Sequence, residues 1–310
     1  MFFCDREKFA MRRARACRAP AGMAIRYGMP VITGHQADLG TPGGQDGRPT
    51  PWIITLFAMY ARTHDNWLPI AAVVSLMADL GVDGQAARSS ISRLKRRGIL
   101  VGERRGSTAG YALPEHTLEM LAEGDVRIFQ HDRATTDDGW VVVVFSVPES
   151  EREKRHELRT SLTRLGFGTV TAGVWVAPGH LASPAREALS RRGLSAYVDI
   201  FAGRHLAFGD LSAKVHRWWN LTELTTLYDD FLDQYQGLPQ RSPAPTPLEA
   251  FRTYVPMLTQ WRRLPYRDPG IPLAMLPRDW NGVAAGELFD KLHQDLRPSA
   301  DRHALSVILR

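Results

Sequence analysis

Between Gly81 and Gly98 lies a stretch that can fold in few ways. Ala87, Ile91 and Leu94 fall at i, i+4 and i+7, one narrow apolar stripe on a helix. The opposite side carries Gln85, Ser89, Ser92, Arg93 and Arg96, with Arg88 and Lys95 flanking. A helix with so small an apolar face buries one edge only, so it must lie on the outside of a small bundle. Asp83 is placed to cap its start and Gly98 to end it.

The flanking segments supply that bundle. Thr50 followed by Pro51 reads as an N-cap and a first helical residue, opening a helix with Trp52, Ile53, Leu56, Phe57 and Tyr60 at helical spacing. A second apolar helix is expected over 70–80, ended by Gly81. After Gly98 come a strand, a turn with Arg104 and Arg105 before Gly106, and a returning strand to Leu113. The order is that of a winged helix-turn-helix, whose third helix enters the major groove of DNA. There Gln, Ser and Arg can read base edges or hold phosphates. Residues 88–105 hold seven basic side chains and one acid, a net charge as large as the +6 of the whole chain. The expected DNA-binding set is Gln85, Arg88, Ser89, Ser92, Arg93, Arg96, Arg104 and Arg105. A solvated basic face, favoured by the helix dipole at 95–97, is the plainer reading of the same residues.

Asp138-Gly139 precedes Trp140-Val141-Val142-Val143-Val144-Phe145, a run of high strand propensity. A charged helix is expected from Ser150 as N-cap to Leu165, then a strand over 169–176, a helix from Ser183 to Gly193 and a strand over 194–201. This order is either the start of a ferredoxin-like domain or a parallel βαβ layer. Cas2-like nucleases share the ferredoxin-like arrangement and place a metal-binding Asp at the end of the first strand. Here that strand ends Ser146-Val147-Pro148-Glu149, so a dimerisation or scaffold role rather than cleavage is expected.

Beyond residue 210 the chain reads as mainly helical: a long amphipathic helix over 213–235, a Pro-rich connector, a helix from Leu248 to about Arg263, a proline-broken run, and a last helix over 283–296. The expected fold is therefore α+β in four parts. Residues 1–49 form a tail or reflect a start codon placed upstream. Residues 50–124 form the winged helix, 125–210 the ferredoxin-like (Cas2-like) domain and 211–310 the helical domain. The only cysteines are Cys4 and Cys17, no apolar run reaches the length of a membrane span, and no HExxH, P-loop, GxGxxG or GxSxG occurs. A cytoplasmic protein with no cofactor and no enzymatic anchor is expected. The competing classes are a metal-dependent nuclease and a protein-interaction module.

The order of parts resembles the PaaX family of bacterial transcriptional regulators. The residues that carry the resemblance are Ala87-Arg88-Ser89 through Gly98, Asp138-Gly139-Trp140 and Gly173-Val174-Trp175-Val176-Ala177-Pro178. To these add Arg267-Asp268-Pro269, Leu276-Pro277-Arg278-Asp279-Trp280 and Gly282. The resemblance spans about residues 50–297. It implies a homodimeric repressor of phenylacetate catabolism on a palindromic double-stranded DNA operator, released by an acyl-CoA such as phenylacetyl-CoA. Such a thioester needs cations for its phosphates and apolar surface for its acyl group. The candidates are Arg217, Trp218, Arg252, Arg263, Arg267 and Trp280. For each one, surface arginine or core aromatic is the blander reading.

Overall fold

The computed structural model describes residues 49–129, 133–206, 208–238 and 244–310. The expectations for residues 1–48 lie outside them. No helix among the described residues is long and apolar enough to cross a membrane.

Helix α1 (Pro49–Leu56) continues through one wider turn to Ala61. It starts at Pro49, so Thr50 lies inside the helix rather than capping it; proline suits the first turn, where its missing N–H has no partner to lose. Strand β1 (Trp67–Pro69), helix α2 (Ile70–Asp79) and helix α3 (Gly84–Arg96) follow. Strands β2 (Val101–Arg105) and β3 (Thr108–Ala112) form a hairpin over the two-residue turn Gly106-Ser107, where Gly106 has φ +58°. The sheet order is β1-β3-β2, antiparallel, with Trp67 opposite Ala112. Strand β1 was not expected, because three residues are too few to show alternation. Gly110 sits where it crosses: a Cβ there would lie 2.4 Å from the Leu68 carbonyl oxygen and the Trp67 ring.

Helix α4 (Glu115–Phe129), also unexpected, runs continuously past residue 124 toward the middle of the chain. The middle sheet contains β4 (Trp140–Phe145), β5 (Gly168–Thr171), β6 (Val174–Pro178) and β7 (Val198–Gly203). Helix α5 (Arg152–Arg164) joins β4 to β5, and α6 (Ala182–Arg191) joins β6 to β7. The single strand expected over 169–176 is a hairpin turning at Ala172-Gly173. The Gly173 carbonyl accepts from Phe145 N (2.9 Å). The sheet order β5-β6-β4-β7, antiparallel at every step, is the complete ferredoxin-like βαββαβ topology, and it removes the parallel alternative. Ser150 does not cap α5. It lies in a short 3-10 turn, and the α-helix starts at Arg152. Val141, Val143 and Phe145 on one face pack with Leu158, Leu162, Ala185 and Leu189 into a separate core.

The helix expected over 213–235 is two, α7 (Leu211–Trp218) and α8 (Leu221–Tyr235). Trp219 breaks it by turning extended and donating its indole N–H to the Gly166 carbonyl (2.9 Å). The Asn220 side chain then accepts from Glu223 N and caps α8. Helix α9 (Pro247–Trp261) opens on a Thr246/Glu249 capping box. Helix α10 (Gly282–Ile308) was expected to stop at Leu296 but runs through Pro298. The proline removes one hydrogen bond. Leu296, Ala300, Ala304 and Ile308 continue the buried face, and that burial keeps the helix going. The helices of the N-terminal part and of the C-terminal part share one core: Ile53, Phe57 and Leu76 belong to the same cluster as Tyr254, Trp261 and Phe289.

Candidate nucleic-acid interface

Asp83 opens α3 as expected, its carboxylate accepting from Gln85 N (2.8 Å) and Ala86 N (3.2 Å). Ala87, Ser90, Ile91 and Leu94 are buried, which turns Gln85, Arg88, Ser89, Ser92, Arg93 and Arg96 to the exposed side together. Arg93, Lys95 and Arg96 lie in the last turn, against the negative end of the helix dipole. Six of the eight expected residues thus share one surface.

Within that surface the arginines are not equivalent. Arg93 donates to the buried Ser90 hydroxyl (2.8 Å) and reaches Thr50 at the start of α1 (3.4 Å), so it braces α3 against α1. Arg88 leans on the Gly84 carbonyl at 3.4 Å. At the hairpin, Arg104 is exposed and donates to the Ser107 carbonyl across the turn (2.9 Å). Arg105 is held at several points. It pairs with Glu103 (2.8 Å), donates to the Asp65 carbonyl (3.0 Å) and lies over the Trp67 ring at 5.1 Å. The Trp67 indole N–H in turn donates to the Glu103 carbonyl (3.3 Å). Arg105 is therefore a brace of the hairpin on β1. Sequence reasoning missed Trp67 in this role, because nothing local links residues 38 positions apart.

Most of the six candidates for an acyl-CoA already have partners within the protein. Arg252 donates to the Asp79 carbonyl (2.7 Å), nine residues before Trp261 and so roughly 13 Å along α9 from it. Trp218 packs edge-on to Trp140 (6.0 Å) and to Trp219 (6.2 Å), and Arg217 beside it is exposed. Arg263 is half-buried just past the end of α9, and Arg267 pairs with Glu223 of α8. Trp280 is edge-on to Tyr228 (5.4 Å), with the Arg133 guanidinium over its face at 5.5 Å.

Asp268, from the motif that carried the resemblance, is the hub of this last group. Its carboxylate pairs with Arg133, accepts from the Tyr228 hydroxyl (2.9 Å) and accepts from Gly270 N (2.9 Å). Burial, and then the Asp268 charge, push the Tyr228 phenol well above its ordinary range, so it stays a donor. Two small voids, one under α3 at Ile54, Leu94 and Leu100, the other at Thr55, Asp125 and Leu258, have about 10 Å³ each. That is room for one water. Among the described residues no three His, Cys, Asp or Glu side chains gather as for a metal.

Domain models of one family match three consecutive stretches: "PaaX-like protein" over 48–117, "PaaX protein central Cas2-like domain" over 133–215 and "PaaX-like protein C-terminal domain" over 219–306. The chain belongs to the PaaX family. The central match coincides with the ferredoxin-like sheet described above, which identifies that domain as Cas2-like. The chain is 23% identical over 246 residues to the transcriptional repressor PaaX of Escherichia coli strain K12, covering 77% of each protein. It also shares the fold of the uncharacterized protein Rv0674 from Mycobacterium tuberculosis: TM-score 0.53, 21% identity, 82% of this chain and 98% of that one.

Proposed function

We propose that this protein is a DNA-binding transcriptional repressor in which α2 and α3 form a helix-turn-helix and the β2–β3 hairpin its wing. The observation that carries the reading is the single exposed face of α3, cationic and hydroxyl-rich above a buried stripe. The name of the Escherichia coli relative supports it. Gln85, Ser89, Ser92 and Arg96 read base edges or phosphates in the major groove, Arg88 flanks them, and Arg104 reaches phosphate from the wing. Arg93 and Arg105 hold α3 and the wing in place.

The repressor acts as a homodimer on a two-fold operator. The Cas2-like domain joins the copies. Its edge strand β7 pairs with β4 on one side only, and Phe201 on it is 58% exposed. An acyl-CoA, phenylacetyl-CoA first, is the effector. Arg217, exposed beside Trp218, is the cation that receives its phosphates.

The test is a gel shift on the DNA upstream of the protein's own gene, with and without a panel of acyl-CoAs. Salt-sensitive binding released by one thioester is the expected result. Absence of binding to any duplex, or binding indifferent to salt, would overturn the reading.

A further inference from the structure

At the end of α2, polar contacts from two C-terminal helices converge on one residue. Asp79, the last residue of α2, is gripped twice. Its main-chain carbonyl accepts from Arg252 Nε of α9 (2.7 Å), and its carboxylate meets His303 Nε2 of α10 (2.8 Å). The His303 ring is itself set by Phe251, whose ring centroid lies 5.1 Å away. The Asp79–His303 contact is sheltered, with the two side chains 27% and 16% exposed.

From Asp79 the chain has little freedom before α3 begins. Leu80 N bonds to the Leu76 carbonyl (3.2 Å), Gly81 N to Ala78 (2.9 Å) and Val82 N to Met77 (2.9 Å). Gly81 takes φ +79°, a left-handed turn that fixes the exit direction. Asp83 then caps α3. Where Asp79 sits therefore sets where Gln85, Arg88 and Ser89 stand.

We propose that His303 and Arg252 are positioning residues for DNA recognition: they transmit the arrangement of α9 and α10 to the first turn of α3 through Asp79. This rests on the repressor reading above. It gives Arg252 a role other than ligand contact. It also gives a purpose to the last turns of α10, since only a helix that continues past Pro298 carries His303 to α2. A ligand that shifts α9 against α10 moves α3 with them, without touching it.

The experiment uses the full chain as wild type and as His303→Ala, His303→Gln and Arg252→Ala. Hydrogen–deuterium exchange is read across residues 79–90, with operator affinity and its salt dependence measured alongside. In the two alanine variants exchange is expected to rise over 79–90, while β4, α5 and α8 stay protected. Affinity is expected to fall about tenfold with the slope of log K against log salt unchanged, because no phosphate contact is removed. His303→Gln, which keeps a donor at that place, is expected to restore both. Unchanged exchange over 79–90 in both alanine variants overturns the inference, as does a rise spread over the whole chain. If local exchange rises but the wild type binds no DNA, the repressor reading fails and the clamp stands as a structural contact only.

Discussion

On α3, Gln85, Ser89, Ser92 and Arg96 stand in solvent above Ala87, Ile91 and Leu94. Around Asp268 and Trp280 the polar side chains turn toward one another instead. Asp268 is occupied by Arg133, Tyr228 and a backbone amide, and Trp280 lies between Tyr228 and Arg133. Both regions are rich in the residue types that bind anions and flat rings. The difference teaches that residue type alone does not separate recognition from architecture. A cation that is exposed on a rigid helix can change partner from water to phosphate. A cation already desolvated beside a carboxylate is committed, since removing either partner leaves a buried charge.

The largest expected effect breaks the architectural side. Asp268→Ala strips the carboxylate from Arg133 and is expected to cost about 3–5 kcal/mol, read as a lower denaturant midpoint. A stable Asp268→Ala protein would remove the distinction between the two regions. On the recognition side, Arg96→Ala is expected to weaken operator binding by about 1–3 kcal/mol and to reduce the salt slope by about 1. Its melting temperature should match the wild type, because Arg96 is exposed. Asp83→Ala joins the two sides. It removes the cap of α3 and is expected to cost about 1 kcal/mol of stability in thermal or urea unfolding.

The smallest effect is in pH. Burial, and then the Arg297 charge, hold the His293 imidazole below its usual value of 6.5, so the folded protein keeps it neutral. The stability this gives is complete above pH 6.5 and fades as pH falls through the lowered value. His293→Phe should flatten that part of a stability-against-pH curve. The ring that replaces it would still face Phe129 and Phe289.

Much of the surface proposed to face DNA was legible because it is local. A cap, a stripe at i, i+4 and i+7, and a terminating glycine all fall within sixteen residues, and α3 forms where they predict. The roles of Arg93 and Arg105 were not legible. Their partners Thr50, Asp65 and Trp67 come from earlier turns of chain, and spacing carries no information about them. The same holds for the break at Trp219, where a tertiary bond to Gly166 outweighs a helical pattern that runs unbroken in sequence.

The sequence by itself determined the order of the parts, the start and end of α3, the basic patch on α3 and the hairpin after it, and the family. Each of these depends on neighbours a few residues apart. Only the tertiary structure decided that the strand after α5 is a hairpin, that α10 continues past Pro298, and that Arg252 and Arg267 are already engaged by Asp79 and Glu223. It also decided that the N-terminal helices share their core with the C-terminal ones. The physical reason is common to all four: they are set by burial and hydrogen bonds between segments 30 to more than 200 residues apart, such as β6 on β4 and α10 on α2, where packing outweighs local preference.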